Sequence, residues 1–371
     1  MPNHDRTFNF SAGPAGLPLP VLEQAQQEML NFRDCGASIL EISHRSAAFI
    51  DVLDSARDGI RQLLGINDEF EVLFLQGGSR LQFSMIPLNF LQSDTERGNY
   101  VVTGTWSEKA HHEASNCHAT NIIWTGKEND YSYLPSPSDL ESLVTPDAAY
   151  VYYTSNETIQ GIQFQDDLSF AEVPLICDAS SDFLSRPIDI NKYGMIYACA
   201  QKNAGPAGVT IVVIRKNLLN RTINECPSYL NYRNHVDANS MYNTPPTFAI
   251  YIVDLVCQWL LNDIGGLEQI NRINREKSEL LYATIDGLPD MYSGHAAPEN
   301  RSLMNVTFRL PSQELTDLFL KQANDQGLIS LQGHRSVGGI RASIYNAIPQ
   351  DGVLALRDFM HSFYTQNSCS R

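Results

Sequence analysis

Val173-Pro174-Leu175-Ile176-Cys177-Asp178 and Met195-Ile196-Tyr197-Ala198-Cys199-Ala200-Gln201-Lys202 are two short apolar runs, each followed by polar and charged residues. Apolar runs of this length suit strands buried on both faces of a sheet. Similar runs stand at 72–75, 100–102, 150–153 and 209–214, with helix-like segments between them. That alternation predicts an α/β fold with a largely parallel sheet. In such sheets ligands collect beyond the carboxyl ends of the strands. Gly77-Gly78, residues 103–106 and 154–158, Asp178 and Gln201-Lys202 all fall there.

Asp178 and Lys202 lie 24 residues apart, room for a strand, a crossover and another strand. A lysine at the end of a buried strand is costly unless it is neutralised, paired or used covalently. Pyridoxal phosphate uses such a lysine as an internal Schiff base. It also needs a carboxylate to keep its pyridine nitrogen protonated, which makes the ring an electron sink. Asp178 is the candidate carboxylate. From spacing alone, a solvated lysine and a helix-capping aspartate are the commoner occupants of such positions.

Gln76-Gly77-Gly78-Ser79-Arg80-Leu81-Gln82-Phe83 follows a strand and opens a helix. Two glycines and the free N–H groups of a helix N-terminus combine to bind phosphate. The pattern lacks the downstream Gly-Lys of a Walker loop and the third glycine of a dinucleotide fingerprint, and a tight strand–helix turn is its commoner explanation. Trp106, at another strand end, offers an indole for stacking on a flat ring or for the core. His44-Arg45, His334-Arg335 and Gly338-Gly339-Ile340-Arg341 bring arginines beside histidine and glycine. Arginine forks bind carboxylate and phosphate in two places at once. His111-His112 and His118 stand in a polar, helix-like setting that reads as a solvated face rather than a metal site.

The chain has 371 residues, 43% of them hydrophobic and 18% charged, with a formal net charge of −16. This is enough apolar residue for a sizeable core, and the charge disfavours nucleic acid and anionic membranes as partners. Any anion site must therefore gather its arginines locally. The seven cysteines include no Cys-x-x-Cys pair and are odd in number, so disulfide frameworks and zinc sites fit poorly. The polar stretch 1–7 lacks a signal core, and the apolar runs look too short to span a bilayer, so a cytoplasmic location is expected.

Helices are predicted over 18–32, with Val21, Leu22, Ala25, Met29 and Leu30 on one face, and over 247–261, before Gly265-Gly266. A long helix over 270–285 suits a connection between two domains. Beyond it, strands at 305–310 and 340–345 alternate with helices at 314–326 and 351–364. The boundary is placed near residue 262, dividing 16–262 from 263–371.

These pieces coincide with one family. Asn9-Phe10-Ser11-Ala12-Gly13-Pro14-Ala15, Glu41-Ile42-Ser43-His44-Arg45, Asn156-Glu157-Thr158-Ile159-Gln160-Gly161 and Asp178-Ala179-Ser180-Ser181 all resemble the phosphoserine aminotransferases. So do Ser185-Arg186-Pro187-Ile188, 197–203, Gly205-Pro206-Ala207-Gly208, Tyr242-Asn243-Thr244-Pro245-Pro246-Thr247, and the stretch from Gly333-His334-Arg335 to Tyr345-Asn346-Ala347. The resemblance runs in order from about residue 8 to residue 363. It implies a fold-type I, class V pyridoxal-phosphate-dependent aminotransferase. Such an enzyme has a large, mostly parallel-sheet domain and a smaller α+β C-terminal domain, with residues 1–15 packing on the latter. It implies a homodimer with shared active sites, which interconverts 3-phosphohydroxypyruvate plus glutamate with O-phosphoserine plus 2-oxoglutarate. It further implies a related phosphorylated step of pyridoxine synthesis.

By position the resemblance implies that Lys202 holds the cofactor and shuttles the proton, while Asp178 pairs with the ring nitrogen. Trp106 stacks on the ring and Thr158 meets its hydroxyl. Ser79, Arg80 and Gln201 lie at the cofactor phosphate, joined by Asn243 and Thr244 of the neighbouring subunit. Arg341 takes the substrate α-carboxylate. Arg45, His334 and Arg335 take the distal phosphate or the glutamate side chain. Arg80 is expected to serve the distal phosphate as well. Ala12 replaces a second serine found in some members, and the loop 77–83 is a hybrid of two bacterial patterns.

Three other readings remain at this stage. One is an aminotransferase of the same fold for another phosphorylated or phosphonate oxo acid. Another is a cysteine desulfurase or related lyase, which needs a reactive cysteine near the cofactor; Cys226 and Cys369 are the open candidates. The third is a dimeric binding protein in which Lys202 is idle.

Overall fold

A computed structural model describes residues 6–222 and 226–368. Its centre is a seven-stranded sheet, in the order Thr120–Thr125, Arg97–Val102, Ala148–Thr154, Leu175–Asp178, Met195–Cys199, Val209–Arg215, Phe70–Gln76. The neighbours from Thr120–Thr125 to Met195–Cys199 pair parallel. Val209–Arg215 runs antiparallel to both its neighbours, so Phe70–Gln76 points the same way as the parallel set. Every predicted strand of this sheet is present. Thr120–Thr125 was not read from the sequence: it is an edge strand with its residues only partly buried and Ile122 exposed, so it lacks a continuous apolar run.

The sheet is buried on both faces. One face carries Val72, Phe74, Val151, Cys177, Ala198 and Val213, with the helices Ala47–Leu64 and Thr247–Gln258 over them. The other carries Leu73, Leu75, Tyr100, Tyr150, Tyr152 and Tyr197 under the helices Ser79–Phe90 and Thr105–Cys117. Helices Ala47–Leu64 and Thr247–Gln258 approach so closely that a Cβ on Gly59 would lie 2.7 Å from Cys257 Cβ. The expectation that no segment could span a bilayer is corrected here. Thr247–Ile264 is long and apolar enough by length and composition, with mean hydropathy 1.3, and 56% of that window is buried inside the protein. The helix at 18–32 is also shorter than predicted. It spans Leu19–Glu28, leaving Leu30 beyond its end and exposed.

Thr247–Gln258 continues through a π-helical turn, Trp259–Ile264, to Gly265 and Gly266, both at positive φ. The helix Leu267–Gly287 then starts on the large core with Leu267 and Ile270, and ends in a separate cluster with Leu281 and Ile285. That second cluster also gathers Val306, Phe308, Phe319, Ile340, Phe359 and Phe363 around the three-stranded antiparallel sheet Ser293–Gly294, Asn305–Arg309, Ile340–Ser343. Phe10 belongs to it, and the strand Phe8–Asn9 pairs parallel with Leu328–Ile329.

Candidate active site

Because six of the seven strands point one way, their carboxyl ends open on a common rim. The turns there carry 77–80, 103–106, 155–158, 178–181 and 200–202. Between them lies a cavity of about 290 Å³ lined by Gly78, Ser79, Arg80, Trp106, Thr154, Asn156, Asp178, Ser180, Ser181, Cys199, Gln201 and Lys202. Six of the residues read from the sequence thus meet on one wall, and Thr158 joins them: Lys202 Nζ donates to its Oγ1 at 2.6 Å. Lys202 Nζ also stands 5.6 Å from the centre of the Trp106 ring. The N-terminal strap crosses beside it, with the Ala15 N–H donating to the Gln201 carbonyl at 2.9 Å.

Asp178 is buried at the end of its strand. Its Oδ1 accepts from the Ser180 N–H at 2.9 Å and its Oδ2 from the Tyr197 hydroxyl at 3.1 Å. Burial pushes its carboxyl above the usual range, while the Ser180 bonds, the Lys202 charge and the Tyr197 bond pull it back.

Trp106 lies in the first turn of the helix Thr105–Cys117. That turn is fixed by Glu157, which the sequence reading quoted but gave no role. Buried, it accepts from the Trp106 N–H at 2.9 Å, the Ser107 N–H at 2.8 Å and the Ser107 hydroxyl at 2.7 Å. A carboxylate at a helix N-terminus satisfies N–H groups that have no partner inside the helix. Burial raises its pKa against those donors. Gly104 is required beside it, since a Cβ there would fall 2.5 Å from Glu157 Cδ.

Ser79 is the first residue of its helix, after Gly77 at φ 97° and Gly78, and no side chain caps that terminus. Its hydroxyl bonds to that of Ser180 at 2.7 Å. Two polar atoms at the cavity, Trp106 Nε1 and Thr154 Oγ1, are buried without a partner. Such orphans are rare unless something bound there completes them.

Arg80, His334, Arg335 and Arg341 form a cationic group with one member the sequence did not reveal, Lys109. Partial burial, then the charges of Arg80 and Arg335, hold the Lys109 ammonium below its usual value. Burial, then Arg341, Lys109 and Arg335, do the same to His334. Lys109 Nζ lies 4.6 Å from the Trp106 ring centre. Among the described residues no carboxylate is in salt-bridge contact with Arg80, Lys109, Arg335 or Arg341. A group of cations without salt-bridge partners suits an anion. His334 Nδ1 lies 2.7 Å from the Ser336 hydroxyl and 3.2 Å from the Ser336 N–H.

Arg45, Asn243 and Thr244 are exposed and do not line the cavity. Asn243 Nδ2 donates to Gln76 Oε1 at 3.2 Å, and the Thr244 carbonyl accepts from Gln76 Nε2 at 2.8 Å. Of the cysteines, Cys226 is buried and its thiol is pushed up by burial, which does not suit a reactive thiolate. Cys369 lies outside the described residues. Cys199 lines the cavity but is buried at a strand end.

The family model of the class-V aminotransferases matches residues 7–356. The phosphoserine aminotransferase of Rhodopirellula baltica is 53% identical over 98% of this chain and 96% of its own. The solved phosphoserine aminotransferase of Bacillus circulans subsp. alkalophilus is 45% identical, with a TM-score of 0.95 over 98% of this chain and 99% of that one. A structure of the pyridoxal-phosphate-bound phosphoserine aminotransferase of Trichomonas vaginalis is 41% identical, with a TM-score of 0.90 over 96% and 100%. With the buried carboxylate, the strand-end lysine and the cation group already in place, these likenesses leave one assignment: the chain belongs to the class-V aminotransferases, in the family of the phosphoserine aminotransferases.

Proposed function

We propose that this chain is a phosphoserine aminotransferase of serine biosynthesis. It interconverts 3-phosphohydroxypyruvate plus L-glutamate with O-phospho-L-serine plus 2-oxoglutarate, and acts on the related phosphorylated substrate of pyridoxine biosynthesis. It works in the cytoplasm as a homodimer, with pyridoxal 5'-phosphate carried on Lys202. The observation that carries this reading is Lys202 Nζ, bonded to Thr158 inside a cavity whose floor holds the buried carboxylate of Asp178. The unpartnered Trp106 Nε1 and Thr154 Oγ1, and the uncapped helix at Ser79, fit a flat, polar, phosphate-bearing group.

When bound, the cofactor supplies an electron sink for the bond-breaking at the substrate α-carbon. The chain's own residues do the rest. Lys202 Nζ would hold the cofactor through its carbonyl carbon and, once displaced there by the substrate amine, would be the free base and acid that moves the proton of the substrate α-carbon. Asp178 would keep the ring nitrogen protonated. Trp106 would lie against the ring, and Thr158 would bond its hydroxyl. Ser79 and Gln201 would hold the cofactor phosphate, with Asn243 and Thr244 reaching in from a second copy. Arg341 takes the substrate α-carboxylate. Arg80, His334, Arg335 and Arg45 of the second copy take the distal phosphate or the glutamate side chain. We place the division between a large cofactor domain, 16–262, and a small domain, 263–371, within the π-helical turn Trp259–Ile264, with residues 1–15 packing on the small domain.

The test is chemical. Borohydride reduction of the yellow holoenzyme should fix the label on Lys202, and Lys202→Ala should lose nearly all transamination. Label on another lysine, or equal use of phosphoserine and serine, refutes the proposal.

A further inference from the structure

We propose that Tyr197, backed by Tyr152, is a positioning residue that holds Asp178 ionised and aimed at the cofactor ring nitrogen. The inference rests on the role of Asp178 given above. Tyr152, Asp178 and Tyr197 come from three adjacent parallel strands, and Tyr152 and Tyr197 are fully buried. The Tyr197 hydroxyl donates to Asp178 Oδ2 at 3.1 Å, and the Tyr152 and Tyr197 hydroxyls lie 2.8 Å apart. A phenol has one proton. With that of Tyr197 spent on the carboxylate, Tyr152 must donate to the Tyr197 oxygen. The relay therefore runs one way, Tyr152 to Tyr197 to Asp178, and each bond polarises the next towards the negative charge.

A comparison within the same sheet shows why this chain of phenols matters. Tyr153 and Tyr193 form a like pair, 3.2 Å between hydroxyls, which ends on Asp167 at 3.0 Å. There Arg186 neutralises the carboxylate at 2.8 Å. Among the described residues Asp178 has no guanidinium and no ion pair within reach. Its support is the Ser180 bonds, with the backbone N–H on Oδ1, the nearby Lys202 charge, and the relay on Oδ2. A buried carboxylate with so few donors favours its neutral form. A neutral carboxyl group cannot hold the ring nitrogen protonated. The relay offsets that tendency from the side away from the cavity and leaves the cavity side of the carboxylate for the ring.

The test uses Tyr197→Phe, which keeps the ring and removes only the hydroxyl. Cofactor affinity of the apoenzyme, read by equilibrium dialysis, should fall about tenfold or more, the size of a lost hydrogen bond to a charged group. The half-reaction of holoenzyme with phosphoserine should slow by a similar factor, with the phosphoserine concentration for half-maximal rate unchanged. Tyr152→Phe should shift both in the same direction by a smaller factor, and it serves in place of Tyr197→Phe if that variant does not fold. In an Asp178→Asn background, Tyr197→Phe should add less than about twofold, because the two act as one unit. If Tyr197→Phe leaves affinity and half-reaction within about twofold of the parent, or keeps its full effect beside Asp178→Asn, the relay is refuted while the role of Asp178 stands. If Asp178→Asn alone keeps parental rates, the role of Asp178 fails, and the relay with it.

Discussion

Glu157 shows what single residues hid from the sequence and what they reveal in the fold. Its three bonds go to Trp106 and Ser107, about 50 positions away, so no local pattern could announce them. Lys202 and Asp178 stood out as charged residues after buried strands, but only the family resemblance set them above the commoner solvated lysine and capping aspartate. Lys109 left a faint local signal, three positions after Trp106 on one helix face. Glu157→Gln puts an NH2 group where an oxygen accepts from N–H donors. We expect a loss of about 1–3 kcal/mol in stability and a displaced Trp106, seen as weaker quenching of its fluorescence by added cofactor. Parental quenching and melting would contradict this. At the distal anion site, Arg80→Ala should weaken phosphoserine use by about 1–3 kcal/mol, read as the phosphoserine-to-serine ratio of kcat/KM, while cofactor dissociation stays near parental. If Arg80 instead only neutralises the cofactor phosphate, the variant releases cofactor and the ratio does not move.

At the scale of elements, the strands with continuous apolar runs were readable, and their order and direction were not. Nothing in 209–214 says that this strand runs antiparallel, and the edge strand Thr120–Thr125 is half polar. The long helix Leu267–Gly287 was expected as a connector, but its means of attachment was not. Lys277 is fully buried and donates to the carbonyls of Ile344, Tyr345 and Ile348 at 3.0, 2.8 and 3.1 Å. It pins the segment that follows the strand of Arg341. In that segment the Asn346 N–H donates to Asn203, the neighbour of Lys202, at 3.0 Å. Burial lowers the Lys277 ammonium from 10.5 to about 7. Below about 7 the folded and unfolded chains both carry that proton and the full cost of burying it is present. Between about 7 and 10.5 the unfolded chain binds more protons, so this group makes stability rise with pH. Lys277→Met should strand three carbonyls, lower stability by about 2–4 kcal/mol, and remove that slope. Urea melts of both proteins at pH 7 and pH 9 decide it; a parallel pH dependence in parent and variant would refute the assignment.

In the proposed dimer, each site of the whole molecule is completed by a second copy. Arg45, Asn243 and Thr244 carry expected contacts, yet all three face outwards. The loop at 243–244 is tied to Gln76 at the end of the edge strand Phe70–Gln76, so it is presented in a fixed position. Exposed apolar side chains accompany these residues: Tyr242 precedes Asn243, and Leu40 stands five positions before Arg45. In a two-fold dimer the same patch serves on both subunits, so a loop given to the partner's cavity is matched by one received. The proposed sharing rests on the family resemblance alone, because no local pattern states which copy a loop serves. Its test is complementation. Lys202→Ala lacks the lysine but keeps its loop. A chain with Asn243→Ala and Thr244→Ala keeps the lysine but lacks the loop. Each homodimer should be weak or inactive, since both of its sites are damaged. In a reassociated equimolar mixture, half of the dimers are mixed, and each mixed dimer holds one intact site, made of one chain's lysine and the other's loop. Activity should then recover to about a quarter of the parental value. Sites built from a single chain would give no recovery beyond the average of the two variants, and that result would sink the shared site.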